Sequence, residues 1–222
     1  MVYNIAIDGP SGAGKSTLAR AAAKKIGFIY VDTGALYRAI GLHILNNNIN
    51  PENEEEASKE LPKIEISIRF ADGSQHVILN GKDVSEDIRI HKVSDYTSKV
   101  SAYPKVREFL LETQRKIAKE YNVIMDGRDI GTVVLPDAQV KIFLTASAQE
   151  RAMRRYRELI DRGQKVDFDT VLHDVVERDS RDMNREIAPL KPSDDAVVID
   201  TTGNTFEKSL QILIDVIGDA VK

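Results

Sequence analysis

The segment Gly9-Pro10-Ser11-Gly12-Ala13-Gly14-Lys15-Ser16 constrains this chain more than any other stretch of it. It satisfies the pattern G-x-x-x-x-G-K-[ST] in full. A short apolar, β-rich run from Tyr3 to Asp8 precedes it, and an Ala-, Lys- and Leu-rich stretch from Lys15 to Ile26 follows. The order is therefore strand, glycine loop, helix. Glycines let the backbone curl so that successive N–H groups converge on an anion, and the helix N-terminus adds the positive end of its dipole. Lys15 is expected to reach β- and γ-phosphates, and the Ser16 hydroxyl to ligate Mg²⁺ with Thr17 beside it. Such loops serve GTPases, motors and small-molecule kinases alike, so the reaction must be read from other residues.

The remaining pattern is that of an α/β protein. Phe28–Val31 reads as a second short strand and Leu36–Asn46 as a helix, followed by an acidic surface helix within 51–61. Ile64, Ile66, Ile68 and Phe70 then alternate with polar residues, the period of a half-buried strand. Asp72-Gly73 and Asn80-Gly81 are turn signals, and Val77-Ile78-Leu79 lies between them, so residues 63–84 read as a small antiparallel insertion. Pro104 opens a long amphipathic helix to about Tyr121. Val123–Met125, Val140–Leu144 and Ala196–Ile199 read as buried strands. Charged helices are expected over about 148–162 and 169–186, and a last helix from Phe206 to about Val221. Strands alternating with helices predict a P-loop NTPase-type parallel sheet with helices on both faces. The expected organisation is a core of about 1–32, 98–147 and 187–222, an acceptor-binding region of about 33–97 carrying the insertion, and a helical lid of about 148–186.

Composition narrows the function classes. The 222 residues carry a formal net charge of −4 and few aromatics, with no Trp. A global basic field and stacking platforms for nucleic acid are therefore lacking. Without cysteine there is neither a disulfide framework nor a thiolate metal site. The N-terminal stretch lacks the basic and long apolar regions of a signal peptide, and no apolar run reaches membrane-spanning length, so the expectation is a cytoplasmic chain without membrane association.

Candidate acceptor residues follow the strands. Asp32-Thr33-Gly34-Ala35-Leu36-Tyr37-Arg38 comes directly after the second strand, and in doubly wound sheets ligands sit outside the carboxyl ends of the strands. Arg38 could hold a second phosphate bidentately; the alternative is a plain helix cap by Asp32 or Thr33 with Arg38 solvated. Asp126-Gly127-Arg128-Asp129 follows another strand, with Asp126 a candidate carboxylate behind Mg²⁺ and its waters. Arg178, Asp182 and Arg185 fall on one helical face by spacing, with Arg181 alongside. Arg151, Arg154 and Arg155 form a second cluster, followed by Arg157 and Arg162. Each of these arginines taken singly fits an ion-paired surface helix; as a group they suggest mobile anion clamps.

Taken together, the phosphate loop, the Asp32–Arg38 motif, Asp126-Gly127-Arg128-Asp129-Ile130-Gly131-Thr132-Val133-Val134 and Arg178–Arg185 leading into Ala188-Pro189-Leu190 resemble the bacterial cytidylate kinase family nearly end to end. The resemblance implies an ATP- and Mg²⁺-dependent kinase acting on CMP and dCMP, and a monomer. It implies that Arg38, Arg128 and Arg185 grip the CMP phosphate, with Thr33 in the same motif at a position where the family often has Ser. Ser98, Arg107 and Asp129 would read the cytosine, Arg178 and Asp182 would lie at the ribose, and Arg154 with its neighbours would cover ATP. A carboxylate such as Asp129 can accept from cytosine's exocyclic amine and repels uracil's carbonyl. The competing readings are an AMP or UMP kinase and a GTP-dependent switch. An adenylate kinase would show Asp-Gly-aromatic-Pro-Arg where this chain has Arg128-Asp129. A switch needs a base-reading motif after a strand, and the near miss Gln164-Lys165-Val166-Asp167 follows a charged helix instead.

Overall fold

The computed structural model describes residues 2–71, 73–161 and 163–221. Asp72 of the first expected turn and Arg162 of the second arginine cluster lie outside the described residues. The chain divides into two compact units, 1–30 with 121–222, and 31–120.

The first unit is built on a five-stranded sheet of order β2-β6-β1-β7-β8. Its strands are β1 (Asn4–Asp8), β2 (Ile29–Asp32, whose first two residues belong here), β6 (Val123–Gly127), β7 (Val140–Thr145) and β8 (Val197–Asp200). β1 pairs in parallel with β6 and β7, and β7 in parallel with β8. Every residue of β6 is buried, as expected for a parallel strand covered on both faces. Helices α1 (Lys15–Ile26) and α8 (Phe206–Val221) pack together, closing a core of Ile5, Ile7, Ile124, Ile142, Leu144 and Leu213. Helices α6 (Ala148–Asp161) and α7 (Phe168–Asn184) form a hairpin with a buried cluster of its own, Ala152, Leu159, Val171 and Val175. Tyr156 and Phe168 meet edge to face there, 6.0 Å between ring centroids.

The second unit is organised around α2 (Thr33–Asn46), which is apolar on most of its circumference. Asp32 caps it by accepting from the Ala35 N–H at 3.0 Å. Residues 54–60 form the acidic helix α3 (Glu54–Glu60). The expected antiparallel insertion is present as β3 (Ile66–Ala71), β4 (Ser74–Leu79) and β5 (Lys82–Asp83). Asn80 and Gly81 both have positive φ, 49° and 81°, the geometry of a hairpin turn matched to strand twist. Val77 and Leu79 of β4 enter the core around α2. The helix α4 (His91–Val100) goes beyond the sequence reading, because Val93 and Val100 are too sparse among polar residues to announce a helix. It packs on α2 together with α5 (Pro104–Glu120).

Gly41 sets how closely α2 and α4 approach. A Cβ at this position would lie 2.4 Å from Thr97 Oγ1 and 3.1 Å from the Thr97 backbone nitrogen. Thr97 Oγ1 is itself committed to the Val93 carbonyl at 2.6 Å and cannot simply turn away. Gly41→Val should therefore destabilise by about 1–3 kcal/mol despite the gain in helix propensity, read as a lower urea midpoint.

Candidate functional site

The phosphate loop leaves β1 at Gly9, whose φ is 147°. A Cβ there would lie 1.9 Å from the Leu144 carbonyl oxygen of β7, so only glycine lets the loop start this close to the sheet. Gly14 is the left-handed N-cap of α1, with no side-chain cap on the helix. The first-turn N–H groups are thus left to an anion. Lys15 is buried, and its Nζ donates to the Pro10 carbonyl at 2.7 Å. Burial, aided by the Arg128 charge, pulls its pKa down to about 7 against the opposing pull of Asp126 and Asp8.

The register that sets Asp8 beside Gly127 brings the carboxyl ends of β1 and β6 together. Asp126 thereby reaches the loop. Ser16 Oγ donates to its Oδ2 at 2.8 Å and the Tyr30 hydroxyl to its Oδ1 at 2.9 Å. A hydroxyl beside a buried carboxylate is a hard-oxygen donor pair that fits Mg²⁺. Among the described residues no group of three or more His, Cys, Asp or Glu could hold a metal. A cation held by Ser16 and Asp126 would therefore lean on water and substrate oxygens, as Mg²⁺ does.

Asp8 was not singled out from the sequence, yet it organises the next segment. Its two carboxylate oxygens accept from the Ile130 and Gly131 N–H groups, each at 2.7 Å. This anchors the π-helical turn Ile130–Val134 and the buried Asp129 just before it. Burial pushes the Asp8 carboxyl up to about 6 even though these two hydrogen bonds oppose it.

The expected arginine cluster assembles within the same unit. Arg128 Nε donates to Asp182 Oδ2 at 2.9 Å, and Arg185 pairs with Asp129 Oδ1 at 3.4 Å. Burial would raise the Asp182 carboxyl, but Arg128, Arg178 and Arg185 outweigh it and hold the group below its usual range. Arg178 also bears electrostatically on Lys15. One expectation needs correction. α7 ends at Asn184, so Arg185 does not share a helical face with Arg178 and Asp182. Its backbone is extended and its Nε donates to the Ala188 carbonyl at 2.5 Å. A turn through Ala188, with φ 51°, and a bond from the Leu190 N–H to the Asp182 carbonyl bring the chain back.

The second cluster separates into different roles. Arg154 pairs with Glu150 at 2.6 Å and reaches the Thr201 carbonyl at 3.3 Å. Its guanidinium lies 3.6 Å from where a Gly14 Cβ would stand, beside the phosphate loop. Arg155 pairs with Glu158 at 3.3 Å. Arg151 is buried and bound on several sides, which corrects its reading as part of a mobile clamp. The Gln164–Asp167 segment joins α6 to α7, and Asp167 caps α7 through the Thr170 N–H, so it is a helix start and not a base-reading loop.

In the second unit, Arg38 pairs with the capping residue Asp32 at 2.6 Å, and Thr33 begins α2 buried. The cap expected as an alternative is real, and it holds the arginine rather than leaving it solvated. Gln75 of β4 brackets Asp32, accepting from its N–H and donating to its carbonyl. Ser98 on α4 and Arg107 on α5 are both buried. Arg107 donates to the Ser101 carbonyl at 3.1 Å, and its guanidinium lies 5.6 Å from the Tyr37 ring centroid. Tyr30 and Gln75 were given no role from the sequence, and Tyr37 had only its place inside the Asp32–Arg38 motif.

These features match a known family. The family model described as cytidylate kinase matches residues 5–219. The chain belongs to the cytidylate kinase family. Curated cytidylate kinases from Caldicellulosiruptor saccharolyticus and Carboxydothermus hydrogenoformans are each 52% identical to it, covering 98% and 96% of both chains respectively. In fold it resembles an uncharacterised protein from Eubacterium ventriosum, with TM-score 0.53 and 14% identity over 97% of this chain and 98% of that one. No helix among the described residues is long and apolar enough to cross a membrane.

Asp8 makes a pH signature for this cytidylate kinase family member. Its folded pKa lies above its ordinary value, so the folded state holds the proton more tightly than the unfolded chain. Its contribution to stability is then greatest below about pH 4, falls as pH rises, and levels off above about 6. Asp8→Asn removes that slope. The unfolding free energy of the variant relative to the parent should improve by roughly 3 kcal/mol between pH 4 and 7, measured by urea titration.

Proposed function

We propose that this chain transfers the γ-phosphoryl group of ATP to CMP and dCMP, giving ADP and the cytidine diphosphate. The observation that carries the reading is that the phosphate loop shares one compact unit with Arg128, Arg178 and Arg185, Arg128 being held by Asp182 and Arg185 by Asp129. Family membership points to the same acceptor. ATP is held by Gly9, Pro10, Ser11, Gly12, Ala13, Gly14, Lys15, Ser16 and Thr17, with Arg154 beside them. The CMP phosphate is gripped by Arg128 and Arg185, and by Arg38 of the second unit. Ser98, Arg107 and Asp129 read the base, Arg178 and Asp182 the ribose, and Thr33 belongs to the same acceptor set.

The charges explain the order of events. Lys15, Arg128, Arg178 and Arg185 face Asp8, Asp126, Asp129 and Asp182, so the site is close to neutral before substrates arrive. Incoming phosphates compete for arginines already held in place by carboxylates. This preorganises the donors and avoids exposing a bare positive cavity. The Ser16 hydroxyl and the Asp126 carboxylate would hold Mg²⁺, which would supply charge neutralisation to the transferring phosphates. Lys15 turns from its own loop carbonyl to the phosphates. The acceptor is largely dianionic at neutral pH, its second pKa being about 6, so no general base is required. Catalysis rests on in-line positioning, charge stabilisation and exclusion of water by the lid helices.

The test is ADP release from ATP·Mg²⁺ with CMP, dCMP, UMP, AMP or GMP offered separately beside an acceptor-free control. Turnover confined mainly to CMP and dCMP is expected. Preferred use of AMP or UMP would overturn the base-reading assignment, and slow hydrolysis indifferent to every acceptor would overturn the kinase. Arg185→Ala should lower kcat on the order of 10²–10³-fold; near-normal turnover would remove Arg185 from the machinery.

A further inference from the structure

Arg151, outside the acceptor cluster, is bound on several sides. It is only 4% exposed. Its Nε donates to the Ala146 carbonyl at 2.8 Å, and one terminal nitrogen donates to the carbonyl of Ser11 in the phosphate loop at 3.0 Å. Both terminal nitrogens meet Asp179 of α7, at 3.1 and 2.5 Å. The contact continues through backbone: a Cβ at Gly12 would lie 3.1 Å from both the Cβ and the carbonyl oxygen of Arg151. The guanidinium thus stands where α6 abuts the phosphate loop and holds α7 by a two-point fork.

Such a fork fixes orientation as well as distance. The α6–α7 hairpin has its own apolar core, so it behaves as one body whose placement depends on how its base is secured. Asp179 sits between Arg178 and Asp182 on α7, the two residues that face Lys15 and Arg128 electrostatically. A turn or slide of α7 would displace both.

We propose that Arg151 and Asp179 are positioning residues whose paired contact fixes α7 against the phosphate loop and so places Arg178 and Asp182 for the acceptor nucleotide. The inference rests on the kinase reading above. It separates two effects that simple support of the loop would not separate. Disturbing the pair should impair acceptor handling while leaving the loop's own hold on ATP nearly intact.

The experiment uses the full chain with Asp179→Asn, and compares KM for CMP and kcat with the Kd of ATP measured without CMP. The expected result is a KM for CMP raised about tenfold with reduced kcat, and an ATP Kd within about threefold of the parent, since Arg151 keeps its bonds to the Ala146 and Ser11 carbonyls when the Asp179 charge is removed. Arg151→Lys keeps one charge but cannot span both the fork and the Ser11 carbonyl, and should show the same split. A folded Asp179→Asn enzyme with parent-like KM and kcat overturns the proposal. So does an ATP Kd that weakens in step with the CMP parameters. Should Asp179→Asn fail to fold, Arg151→Lys decides by the same criteria. A parent chain with no CMP-dependent turnover would instead defeat the kinase reading. Amide exchange across α7 then decides the pairing, faster in Asp179→Asn if the proposal holds and unchanged if it does not.

Discussion

The pairing of β1 with β6 in parallel, with Asp8 set opposite Gly127, is the constraint on which the rest of the site depends. It brings the start of the phosphate loop and the segment after Asp126 to the same end of the sheet. From that register follow the bond between Ser16 and Asp126 and the two backbone bonds that Asp8 accepts from the turn after Asp129. A one-residue slip would turn every side chain of the strand to the other face and dismantle all of these contacts together. Both faces of these strands are buried, so a slip would force Ile5, Ile7 and Ile124 into space packed for other side chains, which makes it costly.

Much of the site's chemistry is carried by residues that answer one another before any substrate is present. Asp182 holds Arg128, Asp129 holds Arg185, Asp32 holds Arg38 and Asp179 holds Arg151. Buried charges need such partners, since an unpaired ion in a low-dielectric interior is expensive. The pairings differ in what they leave available. Arg38 and Arg128 are partly exposed, whereas Arg151 is enclosed by its partners.

The α/β architecture was legible because its signals are local. Full apolar runs announced β6 and β7, and alternation announced β3. The turn at Asn80-Gly81 appears as expected. α4 escaped because its buried residues interlock with α2 through the small Gly41, a contact invisible in either segment alone. Arg185 was assigned to a helical face because its spacing from Asp182 suits one, yet the helix stops a residue earlier and the extended backbone delivers the same side chain to Asp129 by another route. Tyr30 carried no signal and Asp8 only its place at the head of the phosphate-loop motif, because their roles come from hydrogen bonds to residues about a hundred positions away.

What the sequence by itself determined is the phosphate loop, with its strand before and helix after, and the order of strands and helices around it. These depend on backbone conformation and apolar period, which neighbouring residues dictate. Only the tertiary structure decided that Asp126 accepts from the Ser16 hydroxyl, and that Arg151 is bound to the Ala146 and Ser11 carbonyls and to Asp179. It also showed that Asp8 is a buried acid tying the loop's strand to the turn after Asp129. Those outcomes turn on charges brought together by packing, and the strength of a charge pair depends on separation and burial in space. Spacing along the chain specifies neither.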